Sequence, residues 1–245
     1  MSLGARQGLG AVIAVIVLGA LVFAAWIAGH GPRAEAQAVQ PAQFSPTVTN
    51  PYVPLSTVPV TLLEGVDRDP DEPKPLKTRV ETRVLPKTRR VAGVEVTAVR
   101  VKEYEAGRLK EATTDFFAQR ADGAVIYFGQ RVDNYRNGKI VAHRGEWTAG
   151  KRKAKPGLFM PGDPKLGQVF RQERVPGVAI DESTVLALGV TVKTPGGTFT
   201  NCMKVRDFAR LDKNTEFKFY CAGVGLVRDD EKHARSSLVS YQRAG

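Results

Sequence analysis

Residues 131–147 read RVDNYRNGKIVAHRGEW, and the dipeptide Asn137-Gly138 near their centre decides the fold class. A two-residue type I′ hairpin needs positive φ at both central positions, and Asn-Gly meets that need at small steric cost. On either side, residues 131–135 and 140–147 carry the β-branched and aromatic side chains of strands.

The same alternation of short strands and turn residues continues in both directions. Upstream, residues 78–85 place Val80, Thr82 and Val84 on one face and Arg79, Glu81 and Arg83 on the other. Further strands are expected at 58–64, 94–104, 109–119 and 124–128, with turns at Glu105-Ala106-Gly107-Arg108 and Ala121-Asp122-Gly123. Downstream they fall at 168–175, 190–193, 199–209, 216–221, 225–228 and 237–242. The aromatic residues on these strands, among them Phe217, Phe219 and Tyr220, are expected in the core. After residue 29 the helical candidate is 181–188. The expected fold class is therefore all-β: an antiparallel meander forming a curved sheet or a barrel.

The N-terminus is of another kind. Residues 8–29, GLGAVIAVIVLGALVFAAWIAG, contain no charge. At ~1.5 Å of rise each they span roughly 33 Å, enough for a hydrocarbon core of about 30 Å. Arg6 precedes the stretch, and Trp26 stands near its far end, where interfacial tryptophans collect. A transmembrane signal anchor is the expectation, with 1–7 cytoplasmic, 30–52 a flexible tether and 53–245 the extracytoplasmic domain. Ala34-Glu35-Ala36 and Ala36-Gln37-Ala38 resemble cleavage sites, so a removable signal peptide is the competing reading. Either reading exports the rest of the chain and places it at or beyond the bacterial inner membrane. No cysteine lies near residue 30, which excludes lipoprotein modification there.

The two cysteines agree with export. Cys202 and Cys221 lie on consecutive strands with Leu211-Asp212-Lys213-Asn214 between them. A hairpin centred near 211–212 sets them opposite each other, at disulfide range. Two buried free thiols are the alternative.

The formal net charge is +11, and residues 1–33 contribute only Arg6 and Arg33, so the remainder carries +9. Such a surface suits anionic neighbours such as lipid head groups. Nucleic acid fits poorly, because the charge is dispersed and the chain is exported. The irregular stretch 148–167 concentrates both charge and apolar residues. It opens with Lys151, Arg152, Lys153 and Lys155 and continues through Leu158, Phe159 and Met160. These seven residues could contact a membrane or partner; alternatively the apolar three plug one end of the barrel while the lysines are solvated.

Recognisable catalytic, metal and cofactor motifs do not occur in the sequence. Asp67-Arg68-Asp69-Pro70-Asp71-Glu72 starts like a calcium loop but has Glu72 where glycine is needed and Thr78 where a bidentate glutamate belongs. The histidines, His30, His143 and His233, have no second ligand at metal-like spacing. Neither a cofactor nor enzymatic activity is expected.

Three stretches carry a resemblance. They are Asn50-Pro51-Tyr52; Ala154-Lys155-Pro156-Gly157-Leu158-Phe159-Met160-Pro161 with Gln172-Glu173 and Pro176-Gly177; and Thr194-Pro195, Gly197, Phe199 and Cys202 with Tyr220 and Gly223-Val224-Gly225-Leu226-Val227. Together they resemble an uncharacterised family of exported bacterial β-rich proteins. The resemblance implies an exported, single-domain β protein and transfers no activity. A looser likeness, of fold alone, is to periplasmic lipid and lipoprotein carriers with a curved sheet around an apolar cavity. The expected function is a membrane-anchored, non-catalytic binding module for lipid or another apolar ligand. The alternative is an accessory subunit of an inner-membrane complex, its helix packed through Gly8, Gly10, Ala11, Ala14, Gly19 and Ala20.

Overall fold

The computed structural model describes residues 41–211 and 213–245. The expected anchor 8–29 and the first part of the tether lie outside them. No helix among the described residues is long and apolar enough to cross a membrane.

Among the described residues, sixteen strands follow one 3-10 turn at Pro41–Gln43. The first half comprises β1 (Phe44–Ser45), β2 (Val60–Asp67), β3 (Leu76–Val84), β4 (Arg89–Val91), β5 (Val94–Glu105), β6 (Arg108–Arg120), β7 (Val125–Arg136) and β8 (Lys139–Ala142). The second comprises β9 (Trp147–Thr148), β10 (Gly157–Met160), β11 (Val169–Arg171), β12 (Asp181–Thr194), β13 (Gly197–Ala209), β14 (Asn214–Cys221), β15 (Gly225–Asp230) and β16 (Ala234–Gln242). All pairings are antiparallel, and the main path runs β10-β7-β6-β5-β3-β2-β16-β15-β14-β13-β12-β11.

The sheet is not closed by a ladder: its ends are β10 and β11. Those ends nevertheless abut. A methyl group on Gly157 would lie 1.9 Å from the Gln172 carbonyl oxygen, so only glycine lets the two backbones approach this closely. Of the two forms expected, the structure is the curved sheet.

Tight hairpins set the register. Asn137 (φ 52°) and Gly138 (φ 75°) join β7 to β8 with Arg136 opposite Lys139. Ala106-Gly107 and Ala92-Gly93 have the same signs of φ and close β5–β6 and β4–β5. The last of these, with strand β4, has no counterpart in the sequence reading.

Three expectations change. Residues 181–188 are not helical but begin β12, paired along its length with β13. Asp181, Ser183 and Val185 are buried while the residues between are not, the period of a strand. Residues 124–128 and 131–135 fuse into β7, with Gly129 (φ 113°) absorbing the irregularity against Trp147. The expected tether is folded from Phe44 onward. Phe44 sets its ring edge-on to Phe128 at 5.5 Å, Thr97 donates to the Pro46 carbonyl, and Val48 is fully buried. Asn50 donates to the carbonyls of Gly123 and Pro161, pinning this segment beside β10.

Candidate functional site

The inner face of the curved sheet follows from strand alternation. Val99 and Val101 of β5, Phe117 of β6, Leu63 of β2 and Val80 of β3 all point inward, and they line a partly open cavity of about 160 Å³. Tyr52, Pro54 and Leu55 contribute a further wall. Phe117 stacks on Tyr127 at 4.9 Å, and Phe159 meets Phe117 edge-on at 4.8 Å. A volume of roughly 150 Å³ accommodates a benzene-sized molecule.

The cavity lining is not wholly apolar. Asp115, Gln172, Asp207, Lys218 and the tyrosines Tyr127 and Tyr220 reach it. Tyr127 donates its hydroxyl to Asp115 at 3.0 Å, and Thr113 donates to the other oxygen at 3.2 Å. Burial outweighs these bonds and pushes Asp115 up to about 7. Lys218 meets Glu216 at 2.5 Å, Asp207 at 3.2 Å and Asp229 at 3.8 Å. Burial alone would lower its ammonium, but those three carboxylates outweigh it and raise Lys218 well above its ordinary value. Ser183 donates to Asp207 at 2.6 Å, completing the set.

Beyond Leu63, Val80 and Leu226, which line both spaces, a smaller hollow of about 60 Å³ is bordered by Asp67, Glu103, Asp229 and Glu231. Glu103 Oε1 and Asp229 Oδ1 have no hydrogen-bond partner. Burial, then repulsion from Glu111 and Glu231, raises Glu103 well above the carboxylate range. Burial likewise lifts Glu111 to about 8, helped by Asp115, and Glu231 to about 7, helped by Glu216. The interior therefore holds several carboxyl groups that carry protons near neutrality. They do not converge into a group that could hold a metal ion.

The residues singled out from the sequence separate in space. Lys151, Arg152, Lys153 and Lys155 are exposed. Met160 is fully buried, and Leu158 and Phe159 are half-buried. These three belong to β10, which adds to the edge of β7, so the run is not an exposed apolar tip; Phe159 faces the cavity. Cys202 and Cys221 stand opposite each other across β13–β14 and form the disulfide.

The sequence reading misassigned one strand face. On β14 it is Glu216, Lys218 and Tyr220 that are buried, while Phe217 and Phe219 face outward. There Lys204 lies 4.5 Å from the Phe217 ring and Arg228 4.7 Å from the Phe219 ring. Cation–π contact explains how aromatic residues occupy the outer surface. The disulfide carried the missing signal: with Cys202 opposite Cys221, Phe219 and Phe217 share the parity of Cys221, while Lys218, paired with the buried Val205, takes the other face.

The three stretches that carried the family resemblance gather around this cavity. Tyr52, Phe159, Gln172, Tyr220, Val224 and Gly225 all line it. No protein-family model and no curated protein matches the chain. Among solved structures, a protein of Parabacteroides distasonis ATCC 8503, described provisionally as a lipoprotein, is similar at 11% identity with a TM-score of 0.38. The alignment covers 81% of this chain and 100% of that one.

Proposed function

We propose that this chain is a membrane-tethered, extracytoplasmic binding module that takes an apolar ligand into the cavity of its curved sheet. The observation carrying this reading is the cavity itself: about 160 Å³, lined mostly by aliphatic and aromatic side chains with hydrogen-bonding groups set among them. That mixed lining suits a mainly apolar molecule with a polar group, its apolar part against Val99, Val101 and Phe117 and its polar group reaching Tyr127, Asp115 or Gln172. The volume sharpens the class. It matches a ring or a short segment of an acyl chain, so a lipid would insert only part of one chain. The tether and the exposed basic residues 151–153 and 155 would hold the module near anionic head groups.

Native mass spectrometry of the full chain, purified in mild detergent, tests this. An apolar molecule should accompany the wild-type protein and be depleted in Val101→Phe, whose ring would fill the cavity. Equal occupancy in both proteins would place the bound molecule elsewhere.

A further inference from the structure

The opposite face of the same strands carries a second concavity. A cleft of about 760 Å³ lies between the β4–β5 hairpin and the 143–151 segment, with β5, β6 and β7 as its floor. Its volume falls in the usual range for ligand sites, roughly 300–1,000 Å³.

The cleft is strongly basic. Arg89, Arg90, Arg100, Arg131 and Lys151 line it, against Asp133 and Glu146. Both acids are engaged: Asp133 lies 3.2 Å from the His143 ring, and Glu146 accepts from the Val132 amide. Arg89 and Arg90 donate to the backbone carbonyls of Thr88 and Gly93, which leave their charge uncompensated. Among the described residues, no salt bridge joins an arginine or lysine of the cleft to one of its carboxylates.

Strand register makes the floor specific. Arg100 of β5 pairs with Thr114 of β6, and Thr114 pairs with Arg131 of β7, so the three form one row across the sheet. All three line the cleft, which sets two guanidinium groups on either side of a hydroxyl. Planar guanidinium groups bind phosphate and carboxylate in bidentate fashion, and four of the five cations are arginines. Beside the row, Phe116, Val91 and Leu85 give the floor an apolar patch. A cleft with walls on two sides receives a compact solute and not a flat bilayer.

We propose that this cleft binds a ligand bearing at least two oxyanionic groups, phosphate or carboxylate, held by Arg100 and Arg131 across Thr114. The site is independent of the apolar cavity.

Calorimetric titration of the full chain in mild detergent at low salt, with pyrophosphate and separately with citrate, tests it. At least one anion should bind, and the ranking of the two tells phosphate from carboxylate recognition. Arg100→Gln with Arg131→Gln should weaken binding by at least about tenfold, because charge-assisted hydrogen bonds are lost. Lys193→Gln with Arg206→Gln removes the same charge from β12 and β13 and should change affinity less than about twofold, as expected of distant, screened charge. Melting curves of both double variants check that each is folded. Equal weakening in the two would show diffuse attraction to a basic protein and overturn the site. So would binding of neither anion, or binding only to anionic vesicles.

Discussion

Lys218 is the one cation among the buried side chains of the described residues, and it stands among Asp207, Glu216 and Asp229. Removing one partner from a buried ion cluster strands the others, at a cost of about 3–5 kcal/mol. Lys218→Met should therefore lower the unfolding free energy by about that amount at neutral pH, read by urea denaturation. The loss should shrink in mild acid, where the stranded carboxylates take up protons. A second residue effect has the opposite sign. Ala106 occupies the left-handed region at φ 48°, and such a conformation costs a non-glycine residue about 1–2 kcal/mol. Ala106→Gly should raise stability by up to about 1 kcal/mol, after the added freedom of the unfolded chain is offset. Asn137-Gly138 was legible because both residues announce a left-handed turn. Ala106-Gly107 is legible through its glycine between two long strands, whereas Ala92-Gly93 has the same conformation but follows β4, whose three residues are too few to show a strand period. Lys218 was hidden for another reason: a buried lysine is recognised only by the acids facing it across strands, and the flanking Phe217 and Phe219 suggest that their own face is the inner one.

At the scale of elements, long strands with regular alternation were readable and bulged ones were not. β5, β6 and β13 appear close to where their patterns put them. β12 breaks register near Val185, Ala187 and Val190 and contains Gly189 at φ 69°. Those bulges scramble the period of two, and Leu186-Ala187-Leu188 then mimics a helical segment. The β13–β14 hairpin is the firmest element, since Cys202 and Cys221, 19 positions apart, are directly paired and bonded. Closing a loop of that length restricts the unfolded chain by about 3 kcal/mol. Cys202→Ser with Cys221→Ser should destabilise the domain by about that much, and reductant should affect the wild type but not the variant. β10 is not legible in the sequence because its four residues lie between Pro156 and Pro161 and are too few to show a period. Gly157→Ala would press a methyl group onto the Gln172 carbonyl and should loosen the contact between β10 and β11. Faster amide exchange confined to those two strands, with β2 and β16 unaffected, is the expected signature.

At the scale of the molecule, the interior acids link stability to pH. Glu111, Asp115 and Glu231 are raised to about 8, 7 and 7 by burial. Because the folded form holds these protons more tightly, their contribution is fully present below about pH 4 and is lost as pH rises through about 7–8. The melting temperature should accordingly be higher near pH 5.5 than near pH 8.5, and Glu111→Gln with Asp115→Asn should flatten that slope. The overall architecture was legible as an antiparallel β domain, since turn residues and strand spacing suffice for that. The cavity was not, because it depends on how far the sheet curls before β10 and β11 meet. That curl also brings the apolar and the hydrogen-bonding side chains of the cavity together, the arrangement on which the binding reading depends. The most direct measurement is a thermal-shift titration with hexanol on the wild type and on Val101→Phe. The account predicts a concentration-dependent rise in melting temperature for the wild type and none for the filled variant. No rise in the wild type, or the same rise in both, would contradict it.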